Sequence, residues 1–203
     1  MDRRSLLKMI AATTGAAMFG NNVFAYETLS KVALSDTQFK PEDASLFNEI
    51  AEVILPRTDT PGAKDANVGV MSLIIANDCY ATETRDVFTK GLASINDDCM
   101  KRYAKPFVLL TKEQKSEYVE SLDEAAKVHD QKNKIYWVPP RPHKLEDEVT
   151  HAQPHFFTLI KQLTVFSFFT SEIGATKVLR YSAIPGKYDG EMDYKKGDRA
   201  WAT

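Results

Sequence analysis

His151 and His155 come nearest to a catalytic pattern in this chain. Two imidazoles four residues apart share one face of a helix and can hold a divalent metal between them. Pro154 stands between them, and proline belongs in a helix's first turn, so a helix starting there leaves His151 in the loop ahead. Cys79 and Cys99 are the two cysteines. Three states are open to them: a disulfide with each other, two buried thiols on helices, or a bridge from one of them to another subunit. Neighbouring acids such as Asp97 and Asp98, or Glu146, Asp147 and Glu148, point in different directions around a helix and read as solvated surface. The sequence holds no H-E-x-x-H, G-x-S-x-G, P-loop or dinucleotide-binding glycine pattern, and no C-x-x-C-H haem attachment. No catalytic, cofactor-binding or metal site is therefore expected on this chain.

The elements that would position these side chains are helical. Pro41 opens a stripe of Leu46, Phe47, Ile50, Val53 and Ile54 at three- and four-residue spacing, which Pro56 ends. Turn formers Asp59, Pro61 and Gly62 follow. A second helix is expected over 70–80, and a third, capped by Thr84 or Thr82, places Phe88, Leu92, Ile95 and Cys99 on one face. Thr111 and Gln114 have the spacing of a capping box, opening a fourth helix that carries Tyr118, Leu122 and Ala126. Periodicity then stops, and 127–150, with Pro139, Pro140 and Pro142, reads as a proline-rich surface insertion. Residues 153–170 are apolar around the whole circumference, the pattern of a helix buried on every side. A short helix over 173–181, interrupted by Gly174, precedes an irregular arm at 182–203. No strand-type alternation occurs, so the fold class is all-α: one domain of five or six helices with a long C-terminal arm.

The first 25 residues read differently. Arg3 and Arg4 precede a weakly apolar run over 6–19, too short to span a bilayer, and Val23, Phe24 and Ala25 present a cleavage site. Cleavage after Ala25 starts the mature chain at Tyr26, with 26–40 as an arm ahead of the fold; retention of the run as an uncleaved anchor is the other reading. The arginine pair followed by Ser5, Leu6, Leu7 and Lys8 resembles a twin-arginine export signal. That resemblance implies a periplasmic protein exported folded, as cofactor-loaded proteins and their companion subunits are. The chain has 203 residues, 26 basic against 28 acidic, and a net charge of −2, which offers no basic footprint for nucleic acid.

Two ordered blocks carry a further resemblance. The first is Leu55, Pro56, Arg57, Thr58, Asp59, Thr60, Pro61, Gly62 and Ala63. The second holds Leu163, Thr164, Phe168, Phe169, Thr170, Ser171, Glu172, Ile173, Gly174, Ala175 and Thr176. It continues through Leu179, Arg180, Tyr181, Ile184, Pro185, Gly186, Lys187, Tyr188, Asp189 and Gly190, and closes on Arg199, Ala200 and Trp201. Together they resemble the gluconate 2-dehydrogenase subunit 3 family over roughly 45–201. The resemblance implies a non-catalytic small subunit of a sugar, sugar-acid or polyol dehydrogenase, supporting the folding, stability and export of its partner. That partner would be a large FAD-binding subunit of the glucose-methanol-choline type, often with a cytochrome c subunit carrying haem as electron acceptor. The 127–150 insertion departs from the family pattern.

An irregular arm bearing Arg180, Tyr181, Tyr188, Arg199 and Trp201 offers the anchor types that dominate protein interfaces. The expected partner surface combines these with Thr170, Ser171, Glu172, Ile173, Gly174, Pro185, Gly186, Asp189 and Gly190. The alternative is that the aromatic residues pack back on the chain's own helices. Competing functions are a free-standing periplasmic binding or scaffold protein, and a small metal enzyme built on His151 and His155.

Overall fold

The structure, a computed structural model, describes residues 34–135, 152–184, 186 and 190–202. The export segment with Arg3, Arg4 and Ala25 lies outside them, as do His143, His151 and most of the 127–150 insertion. The chain divides into two compact units, residues 1–36 and 37–203. In the first, Leu34–Asp36 form one 3-10 turn. The second is helical and begins ahead of Pro41: Phe39, expected in the arm, is buried, with its ring edge-on to Phe88 at 5.9 Å.

Five α-helices build the second unit: α1 Pro41–Ile54, α2 Val68–Cys79, α3 Thr82–Tyr103, α4 Lys112–Lys132 and α5 Phe156–Phe169. No strand occurs among the described residues, so the all-α expectation holds. The stripe on α1 largely does what its spacing requires: Leu46, Phe47 and Ile50 are buried, while Val53 and Ile54 in the last turn are half-buried. At α4 the capping box closes in both directions, Thr111 Oγ1 accepting from Gln114 N and Gln114 Oε1 from Thr111 N. Helix α3 departs from expectation at its start. Thr82 is its first residue, the cap is Ala81 with no side-chain bond, and the Thr84 hydroxyl donates instead to Gln153 Oε1 at 2.9 Å.

Helix α5 is the hub, packing against all four of the others. Phe157, Leu159, Ile160, Leu163 and Phe168 are buried on it, and each such side chain removed from water contributes roughly 1.5–3 kcal/mol. Where α2 crosses it, the Ser72 hydroxyl donates to Ser167 Oγ at 2.9 Å in a fully buried pair, two small residues that let the helices approach. The expectation that α5 is buried on every side is corrected: Val165 and Phe166, adjacent on its outer face, are exposed. The expected fourth-helix boundary is also corrected. Helix α4 runs on to Lys132, and its last turn survives without an apolar stripe because the Asp130 carboxylate ties it to the start of α5.

Candidate partner interface

The first block quoted above, from Leu55 to Ala63, is a knot of backbone donors around one carboxylate. Glu52, in the last turn of α1, accepts from Arg57 N and from Lys64 N, both at 2.9 Å. Gly62 is required beside it: a Cβ would lie 2.5 Å from Arg57 N and 2.7 Å from the Glu52 oxygens. Asp65 closes the other side, accepting from Gly62 N at 2.9 Å and from Arg57 Nε at 2.7 Å. The Arg57 side chain and then the Gly62 N–H hold the Asp65 carboxyl below its ordinary value. Lower in the same connection Glu49 pairs with both Lys64 and Lys115. Burial works to raise the Glu49 carboxyl, and the two ammonium groups more than offset it. This loop fixes the α1–α2 connection. Glu52→Ala removes two exposed bonds from backbone N–H groups to a carboxylate and is expected to lower stability by about 1 kcal/mol, read as a lower urea midpoint, whereas a shift too small to measure would deny the knot its role.

The second block turns the chain out of the core. Ser171 Oγ donates to Phe168 O at 2.6 Å and accepts from Gly174 N at 3.0 Å, which folds residues 170–174 against the end of α5. Gly174–Val178 then form a π turn, where a short helix to Tyr181 was expected. Of the residues expected to face a partner, Gly174 is buried, Ser171 and Ile173 are half-buried, and Thr170 and Glu172 are exposed. The first three therefore shape the turn.

Beyond the π turn the arm is closed by a clasp. Arg180 N donates to Ala200 O and Ala202 N to Arg180 O, both at 2.8 Å, forming a parallel bridge between Arg180 and Trp201. The Arg180 guanidinium lies over the Trp201 ring at 4.6 Å, and Arg199 Nη1 donates to Lys177 O at 2.8 Å. Three of the five expected anchors thus hold the arm to itself. Between the clasped ends, every residue described from 181 to 198 is exposed. Ile184 is 85% exposed and Tyr194 74%, with Tyr181 and Met192 exposed beside them in sequence. Pro185, Tyr188 and Asp189 lie outside the described residues; Gly186 and Gly190 are exposed. These exposed apolar side chains make the clasped loop the candidate surface. Ile184, Met192 and Tyr194, and Val165 and Phe166 on α5, were absent from the expected surface, since without periodicity an exposed apolar residue resembles a buried one.

The remaining candidates among the described residues are Cys79, Cys99 and His155. Both thiols are free, Cys79 exposed at the end of α2 and Cys99 buried in α3, so the two form no bond with each other here. His155 is the N-cap of α5, its Nδ1 accepting from Phe157 N at 3.2 Å. No cluster of three metal-ligating side chains occurs among the described residues. No described helix is long and apolar enough to cross a membrane.

The family model for gluconate 2-dehydrogenase subunit 3 matches residues 41–186. The chain belongs to that family. No curated protein and no solved structure matches it. In this member of the subunit 3 family the matched stretch takes in all five helices, the Glu52 knot and the π turn. It stops at Gly186, so Arg199, Ala200 and Trp201, which close the clasp, lie outside the matched residues.

Proposed function

We propose that this subunit 3 protein is the non-catalytic small subunit of an exported FAD-dependent dehydrogenase of the glucose-methanol-choline type, acting on a sugar, sugar acid or polyol. It binds the large flavoprotein subunit, supports its folding and stability, and carries it through the twin-arginine pathway by means of Arg3 and Arg4, with cleavage after Ala25. FAD resides in the large subunit, and a cytochrome c subunit with haem takes the electrons. The complex works in the periplasm and touches the membrane only through its partners.

The observation that carries this reading is the clasped loop with Ile184, Met192 and Tyr194 in solvent, on a chain whose family is named as a dehydrogenase subunit. A loop whose two ends are clasped has fewer conformations to lose on binding than a free tail. The test is co-purification of the large subunit from cells expressing both chains. Ile184→Asp with Tyr194→Asp buries two charges in any interface there and is expected to lower affinity at least about a hundredfold while leaving the urea midpoint unchanged. Retention of the partner by this variant would remove the loop from the interface.

Export has its own test. Changing Arg3 and Arg4 together to lysine is expected to leave uncleaved precursor in the cytoplasm, with the flavoprotein alongside it. Normal processing and delivery of both chains would argue for the general secretory route.

A further inference from the structure

The end of α4 and the start of α5 meet at a cluster of two imidazoles and a carboxylate that the subunit role does not use. Asp130 Oδ1 accepts from His155 N at 3.0 Å and sits 3.1 Å from His129 Nδ1, while Asp130 Oδ2 accepts from the Thr158 hydroxyl at 2.6 Å. The two imidazole rings lie 5.7 Å apart. His155 can cap α5 only while its Nδ1 is unprotonated, because the Phe157 N–H needs an acceptor there. We propose that this junction is an acid-operated latch: protonation of His155 removes the cap of α5 and sets a cation against His129, so the first turn of the hub helix frays.

Other forces on the ring favour the neutral form. Among the described residues the charged groups bearing on it are His129 and Asp130, both from α4. On α5 the cation Lys161 is engaged by Asp123, and from α3 Thr84 bonds Gln153 while Gly91 lies beneath Phe156. Burial first, and then the His129 charge, hold the His155 imidazole below its ordinary value of 6.5, against the pull of Asp130. A group depressed in the native state binds fewer protons there than in the released state. Its contribution is therefore complete above pH 6.5 and is lost as the pH falls through the native value. Asp130 is itself held below its ordinary value: burial opposes this, but Thr158, the His155 N–H and His129 outweigh it. The carboxylate thus stays charged across the window in which the latch opens.

The experiment is amide exchange on the full chain at pH 7.5 and 5.5, corrected for the intrinsic pH dependence of exchange. Amides at 157–160 are expected to lose protection about tenfold at the lower pH, the scale of a lost cap, while those at 163–168 keep theirs. His155→Asn keeps a good cap that does not titrate, and should abolish the difference. Unchanged protection in the native chain, or an unchanged pH difference in the asparagine variant, overturns the proposal. Titration of the native His155 ring by NMR gives a second reading without any variant: a midpoint below 6.5 supports the latch, and one at or above 6.5 overturns it.

Discussion

Replacing Gly174 with alanine is expected to destabilise the protein by about 3 kcal/mol, the upper range for forcing an atom into a packed site, and to weaken the proposed binding of a large subunit. The added Cβ would stand 2.0 Å from Phe168 O, 2.8 Å from Phe168 C and 3.1 Å from Phe169 Cα. All three are backbone atoms of the last turn of α5, so no side-chain rotation makes room. The π turn must move away from the hub, and it carries Arg180, one side of the clasp. Gly186→Ala is the control: φ there is +70°, yet nothing lies within 4 Å of a new Cβ, so only the left-handed strain of roughly 1–2 kcal/mol applies. Urea unfolding and co-purification should rank the variants native, Gly186→Ala, Gly174→Ala. Equal midpoints for the two glycine variants would refute the steric account.

Phe157→Ala should cost more, about 3–5 kcal/mol, as for other buried phenylalanines. Phe157 is fully buried at the start of α5 and lines a surface cleft of about 390 Å³, whose walls also include Val53, Ile54, Val119 and Asp123. Lys161, on the same helix, places its ammonium 5.8 Å from the Phe157 ring centre and pairs with Asp123 at the cleft's edge. Removing the ring therefore loses a buried hydrophobe and a cation–π contact together, and opens the hub to water through the cleft. Phe157→Leu restores most of the volume and should recover the larger part of the loss. Chemical denaturation with an unchanged m-value checks this; a loss below about 1 kcal/mol for alanine would show that the site collapses and that Phe157 does not seal the core.

Much of the helical framework was legible because burial follows spacing. Leu46, Phe47 and Ile50 on α1, and Phe88, Leu92, Ile95 and Cys99 on α3, are the residues their stripes predict to be inside. Spacing failed where polar bonds do the holding. Past Ala126 the face of α4 is Asp130 rather than an apolar side chain, and a carboxylate satisfied by a helix start distant in sequence leaves no periodic trace. Apolar content likewise could not tell Phe166, which is 56% exposed, from Phe168 two residues later, because exposed and core apolar positions of one helix share the same residue type. The candidate surface was legible in place, through Tyr181 and the tail aromatics, but not in division of labour. Arg180 and Trp201 were expected to reach outward and instead meet each other, a pairing set by a bridge across the loop that neither residue type announces.

The hub position of α5 also decides when this protein can fold. The four helices that pack on it all precede it in the chain, so a ribosome must release residues up to about 169 before their shared partner exists. Until then α1 to α4 can pack on one another but leave exposed the apolar side chains that α5 covers, and pairings of long sequence separation must wait for that segment. The nascent chain is therefore a natural client for a holdase during translation, and its folding is set by the emergence of α5.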